Sequence, residues 1–298
     1  MRARLLGLTA FVTALLSLLT TPAGACGGLV GENGTIKLVR TTTLAAYHDG
    51  VERYVTSFEF SGEGEEVGSI VPLPGVPTRV ERGGDWTLQR LEREVAPTDV
   101  VEAPLAAAKA EAGDAEVLLT AKIDALDITI LRGGGDAVGR WATDHGFLLT
   151  PDAPEILDHY SRRSPVFMAA RFDASRAASL DQRRGDGTPI MLTIPTEAPW
   201  VPLRILGLGL GARRAVSADV FLLTPERPHL RPDGAGLSLE RSEPAPKLLL
   251  DDLRSDKGMG WVPPRLWLSY LRLDTTAGDL DYDLAVSTQP RFARAGVR

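Results

Sequence analysis

Runs of β-prone residues cut short by proline and glycine occupy both ends of this chain, and two amphipathic helix patterns lie between them. That order excludes the regular strand-helix-strand alternation of a parallel sheet. The expectation is an α+β fold, a mostly antiparallel β-sheet with a few short helices in the middle of the chain.

The early strands read as Thr35 to Leu44, Tyr54 to Phe60 and Val67 to Val71. In the second, Tyr54, Phe58 and Phe60 recur at period two with Ser57 and Glu59 on the other face, as a half-buried strand requires. Asn33-Gly34 and His48-Asp49-Gly50 supply residues that tolerate left-handed backbone, which suits tight hairpin turns. Pro72, Pro74 and Pro77 close the third run, because proline donates nothing to a sheet ladder.

Asp85 is placed to cap a helix over Trp86 to Val95, with Leu88, Leu91 and Val95 on one face. Glu102 to Glu116 is alanine-rich and read as a loop, and Val117 to Leu131 is strand-like. After Gly133-Gly134-Gly135-Asp136, a short helix carries Val138, Trp141 and Ala142 and ends at Gly146. Asp152-Ala153-Pro154-Glu155 resembles a capping box opening a second helix through Ile156, Leu157 and Tyr160. Two helices separated only by Phe147 to Pro151 should pack side by side on a sheet.

Further strands are expected over Val166 to Phe172, Ile190 to Ile194, Leu203 to Leu208, Val216 to Leu223, Leu266 to Leu273 and Leu280 to Val286. Pro225 to Lys247, rich in proline, glycine and charge, reads as a long surface loop. No fixed-period repeat is present.

The first residues speak to location. Arg2 and Arg4 precede an apolar run from Leu5 to Leu19, and Ala23 and Ala25 are the small residues that signal peptidase requires. Residues 1–25 are therefore read as a signal peptide and 26–298 as a single exported α+β domain, in which two β-rich halves, about 26–130 and 165–290, flank a helical middle. Cleavage after Ala25 leaves Cys26, the only cysteine, as the first residue. Soluble secretion is expected, because Ala23 stands where lipoprotein signals usually carry leucine; acylation of Cys26 and attachment to the outer face of the cell membrane is the alternative. An unmodified Cys26 has no partner for a disulfide within the chain.

Apolar residues make up 44% of the sequence and charged ones 24%, with a net charge of −6. The acidic balance, without any basic block interleaved with aromatics, argues against nucleic acid as a partner. Beyond the leader no apolar run approaches the roughly 20 residues that cross a bilayer.

Several stretches together resemble the bacterial domain of unknown function 2330 family of exported proteins. They are Cys26-Gly27-Gly28, Ser69 to Pro77, the helix with Trp86 and Leu91, Ile128 to Leu131 leading to Trp141 and Gly146-Phe147, Tyr160, Val166 to Phe172, and Pro189 to Leu206. The resemblance implies a cell-envelope or secreted protein and supplies no catalytic residues. Some relatives carry further cysteines near the mature start and a C-terminal anchor, which this sequence lacks.

Candidate chemistry is sparse. His48, His145 and His159 each adjoin an aspartate, and a metal could be imagined between His145 and His159 with Asp144 or Asp158. Their spacing matches no metalloprotease pattern, so no metal is expected, and these two histidines are the only ones that can be named for one. Asp279-Leu280-Asp281-Tyr282-Asp283 lacks the glycine and distal acid of a calcium loop and reads as a half-buried strand. Gly133 to Gly135 and Gly207 to Gly211 lack nucleotide-binding spacing and read as turns. Trp200, with Trp261 and Trp267, could line a carbohydrate or peptide groove.

No nucleophile motif is present. The sequence therefore points to a non-enzymatic cell-envelope protein that binds or scaffolds an envelope or extracellular component, with no cofactor. An extracellular hydrolase or metal-dependent enzyme, and a lipoprotein accessory to transport or wall assembly, are the alternatives.

Overall fold

Asp49 and Gly50 turn the chain as their sequence demands. Both take positive φ, 51° and 74°, the backbone of a type I′ turn whose twist matches the strands it joins. Thr42–His48 and Val51–Thr56 consequently pair as an antiparallel hairpin, Tyr47 opposite Glu52. The computed structural model describes residues 28–31, 37–57, 59–61, 67–95, 115–147, 149–180, 188–230 and 234–287.

In chain order the strands are β1 (Gly28–Gly31), β2 (Lys37–Arg40), β3 (Thr42–His48), β4 (Val51–Thr56), β5 (Glu59–Ser61), β6 (Val67–Pro72) and β7 (Arg79–Arg82), followed by helix α1 (Thr87–Val95). The hairpin of β8 (Glu116–Ile123) and β9 (Leu126–Arg132) leads to α2 (Gly135–Asp144) and α3 (Ala153–Arg163). Next come β10 (Val166–Phe172), α4 (Ala174–Ser179), β11 (Ile190–Pro195) and β12 (Trp200–Val201). The chain closes with β13 (Ala215–Thr224), β14 (Leu237–Pro244), α5 (Lys247–Ser255), β15 (Trp267–Thr276) and β16 (Leu284–Ala285).

A larger sheet has the order β14-β15-β13-β3-β4-β11-β7 and a smaller one β1-β6-β10-β9-β8; β12-β16 and β2-β5 form two-stranded ribbons. Among the described strands only β13 and β3 pair in parallel. The fold is α+β, and both large sheets take strands from before and after the helical middle.

Residues alternating along β4 enter two different cores. Tyr54 joins Leu192 and Val220 in one that continues into the smaller sheet through Ile70, Ile128 and Met168, and into α2 and α3 through Val138 and Leu157. Val55 joins Leu44 and Phe221 in the other, sealed by Leu88 and Leu91 of α1 and by Leu249 and Leu253 of α5. Burying one such side chain stabilises by about 2 kcal/mol, so the larger sheet is held from both faces.

Helices α2 and α3 pack as neighbours, as their short connection predicts. Gly135 makes this approach possible: a Cβ there would lie 2.7 Å from Asp158 Cα. The continuous strand-like run Val117 to Leu131 is two strands, folded at Asp124, whose φ is +48°.

Other expectations need correction. Leu203 to Leu208 is not a strand: Arg204–Gly207 forms a 3-10 turn. The loop expected from Pro225 to Lys247 contains β14, which pairs with β15. Leu280 to Val286 holds only the two strand residues of β16, because Asp283 turns inward to accept hydrogen bonds from other elements. The run Thr35 to Leu44 contributes to two strands in different sheets. Phe58 and nearly all of Glu102 to Glu116 lie outside the described residues.

Both caps assigned from sequence are replaced by longer-range contacts. Asp85 pairs with Arg82 at 2.8 Å, while the first turn of α1 is held by Asp256. Its carboxylate accepts from the Asp85 and Trp86 N–H groups, each at 3.0 Å, and from Thr87 Oγ1 at 2.7 Å. Asp152 makes no cap bond on α3; it accepts from Gly209 N–H at 3.0 Å, and Glu155 meets Arg204 at 2.8 Å and 3.0 Å.

Candidate functional site

Strand register builds the floor of a groove on the face of the smaller sheet that α2 covers incompletely. Thr120 lies opposite Thr129, and Thr129 opposite Ala169, giving one row across β8, β9 and β10. Lys122, Asp127 and Arg171 form the next row. Because residues two apart on a strand share a face, both rows look the same way. Trp141, His145 and Phe147, from the last turn of α2 and the segment after it, wall the groove, whose volume is about 420 Å³. That lies within the range of small-molecule sites.

The wall is tightly built. The His145 ring stacks on Trp141 with centroids 3.6 Å apart. Its Nδ1 lies 2.5 Å from the Trp141 carbonyl oxygen, which assigns the proton to Nδ1 as donor. Phe147 fits over Gly68, where any Cβ would collide with the ring.

Charges at one end are unequally paired. Asp127 accepts from Lys122 and Arg176, each at 3.1 Å. Burial raises its pKa, but those two cations outweigh burial and hold it below the usual value. Arg176 also meets Asp173 at 3.2 Å. Among the described residues three cations, Lys122, Arg171 and Arg176, thus share Asp127 and Asp173, and Arg171 is the one left short: its side chain is 13% exposed and its nearest carboxylate oxygen there, on Asp127, is 3.8 Å away. Beyond that contact the Arg171 guanidinium has no partner among the described residues, and the Thr120 and Thr129 hydroxyls make no hydrogen bond there either. These are the groups a bound molecule could engage.

A second polar constellation lies between the sheets. Tyr160 donates to Asp283 Oδ1 at 2.7 Å and accepts from Ile205 N–H at 2.9 Å. The same Asp283 oxygen accepts from Leu203 N–H at 2.9 Å, and Oδ2 from Arg163 at 2.8 Å. Trp200 is sandwiched by Tyr160, at 5.7 Å, and the Arg163 guanidinium, at 4.2 Å. Beside it Glu52 is wholly buried, and among the described residues no well-formed hydrogen bond reaches either carboxylate oxygen. Burial drives its pKa up to about 8, opposed only in part by the nearby Trp200 backbone N–H and by Arg163. Burial and the adjacent Asp283 also push the Tyr160 phenol well above its ordinary value. This network reaches solvent only through Arg163, whose side chain is 30% exposed, and it fixes α3 against β12 and β16.

The sequence candidates fall in separate places. His145 belongs to the groove wall, whereas His159 packs edge-on against Tyr160 at 5.1 Å; burial, then Arg204, lowers its pKa. Asp158 pairs with Arg162. Among the described residues no three His, Cys, Asp or Glu side chains gather as a metal requires, so His145 and His159 do not assemble a site with Asp144 or Asp158. His48 and Asp49 do meet, at 3.1 Å on the turn. Ala25 and Cys26 lie outside the described residues.

The tryptophans do not share a groove. Trp200 is buried in the core between the sheets, while Trp261 packs on the opposite face of the larger sheet, under Arg53 at 4.6 Å. Trp267 donates to Ser242 Oγ at 2.9 Å. Sequence reasoning missed Arg171, Thr129 and Thr120 as a site, although the alternation of Ala169 and Arg171 along β10 signals an outward face carrying a charge.

These features define an α+β protein of two mostly antiparallel sheets sharing a core, grooved on the outer face of the smaller. The chain belongs to the DUF2330 family, described as an uncharacterized protein conserved in bacteria, whose model matches residues 20–247. Among solved structures it is similar to the crystal structure of baculovirus P35 at a TM-score of 0.44 and 10% identity, covering 85% of this chain and 97% of that one. No curated protein matches it. Among the described residues no helix is long and apolar enough to cross a membrane.

Proposed function

We propose that this is an exported, non-enzymatic cell-envelope protein that binds a small component of the envelope or its surroundings in the groove over β8, β9 and β10. One observation carries the reading: the apolar wall of Trp141 and Phe147 stands beside an arginine and two threonine hydroxyls that make no hydrogen bond among the described residues. Binding sites are built of this mixture, an apolar enclosure with a few placed polar groups. Export rests on the leader-like first 25 residues.

Two measurements test the reading. Ligand-observed NMR against a fragment library, with Thr129→Trp as a plugged control, should reveal fragments whose signals broaden with the natural chain and not with the plugged one. Identical spectra for both chains would sink the groove. Intact-mass analysis of native membrane and culture fractions should find a species beginning at Cys26; a chain retaining residues 1–25 in the cell would overturn export. Diacylglyceryl mass on Cys26 would mark the lipid-anchored form, and an unmodified mass in the medium the secreted one.

A further inference from the structure

We infer that the groove takes a small carboxylic acid with an apolar chain, its carboxylate on Arg171 and its chain along Trp141 and Phe147. This rests on the groove being a binding site and adds the chemistry of what binds. The charge count points to it. Among the described residues Asp127 and Asp173 are taken up by Lys122 and Arg176, so the largely buried Arg171 is left with only the 3.8 Å approach of Asp127. A guanidinium presents paired N–H donors whose geometry fits a carboxylate, and at Arg171 no carboxylate among the described residues comes within hydrogen-bond distance of them.

Thr129, in the row beside Arg171, offers a hydroxyl for the second lone pairs of the acid. The remaining lining contributed by Trp141, Phe147 and Ala169 is apolar, and an alkyl body gains by leaving water there. One unmatched charge fits a monoanion. A neutral ligand would leave the Arg171 charge as it stands, and a dianion would bring a second charge with no spare cation among the described residues of the lining.

The test is calorimetric titration of the chain from Cys26 to Arg298 with octanoate and with 1-octanol at neutral pH. Octanoate should bind about tenfold or more tightly than octanol, the gain expected of one charge-assisted pair. Arg171→Gln should bring octanoate down to the level of octanol and leave octanol unchanged; Arg171→Lys, which keeps the charge without the fork, should retain part of the preference. Melting curves of both variants establish that they fold, and the comparison of the two ligands on the natural chain needs no variant.

Equal binding of octanoate and octanol, or an octanoate affinity indifferent to Arg171→Gln, overturns the inference while leaving the groove as a binding site. Failure of both ligands while library fragments still bind in a Thr129→Trp-sensitive way also overturns the inference alone. Failure of both, together with no fragment sensitive to the plug, removes the groove reading as well.

Discussion

Glu52 is a carboxyl buried without a well-formed hydrogen bond among the described residues, and its cost depends on pH. In the unfolded chain it releases its proton near the ordinary value of 4.5; folded, it keeps the proton up to about 8. The native state therefore binds the extra proton between those values, and stability is lost as pH rises from 4.5 through 8. At pH 7 the loss is about 3 kcal/mol, at 1.36 kcal/mol for each unit between folded and unfolded pKa. Glu52→Gln removes the titration, so urea unfolding at pH 5 and pH 8 should show a shallower pH dependence for the variant. An unchanged slope would show that Glu52 is not the group responsible. The sequence leaves Glu52 as a polar residue between the His48-Asp49-Gly50 turn and the strand expected from Tyr54. Its burial follows from Tyr47 and Ile194 on the neighbouring strands and from Trp200 closing over it, contacts that no local pattern announces.

The three helices read from the sequence form where local periodicity says they should, but their ends are fixed from a distance. The apolar faces of α1, α2 and α3 are legible because Leu88 and Leu91, Val138 and Trp141, and Leu157 and Tyr160 recur at helical spacing. Helix α5 carries the same kind of signal in Leu249, Leu250 and Leu253 just after Pro246, at the edge of a segment whose prolines and glycines suggest loop. Capping is not legible, since Asp256 sits far along the chain from the helix it caps. Asp256→Ala should destabilise by about 2 kcal/mol or more, because it strips charge-assisted bonds from both backbone N–H groups and from Thr87. Burial raises the Asp256 pKa, but these bonds outweigh burial and lower it. Its contribution is present above the unfolded value near 3.8 and fades as pH falls through the lower folded one. Denaturant titration at pH 7 and pH 3 checks both points: the gap between natural and variant chains should narrow in acid. At the α2–α3 contact Gly135→Ala should cost about 1–3 kcal/mol through backbone displacement, read as a lower melting temperature.

At the scale of the whole molecule the two β-rich stretches of sequence are woven together. The larger sheet places β3, β4 and β7 among β11, β13, β14 and β15; the smaller sets β10 between β6 and β9. The parallel contact of β3 with β13 joins the stretches at the centre of the larger sheet. The α+β class is legible because strand-like runs bracket the helices. The interleaving is not, because the hydrophobic pattern of a strand gives its buried faces and says nothing of its neighbour. A definite expectation follows for residues 26–132 and 133–298 produced as separate chains. Each would expose β3 or β13, strands buried on both faces, along with edges whose N–H and C=O groups have lost their partners. Neither fragment should give dispersed amide NMR spectra or a cooperative melt alone. Mixed from denaturant, the two should recover the sheet signal and the cooperative melt of the intact chain, since every pairing then becomes available again. A first fragment that melts cooperatively by itself would show that β1 to β9 hold a core without the second stretch, contrary to the burial of Tyr54 and Ile128 against Leu192 and Met168.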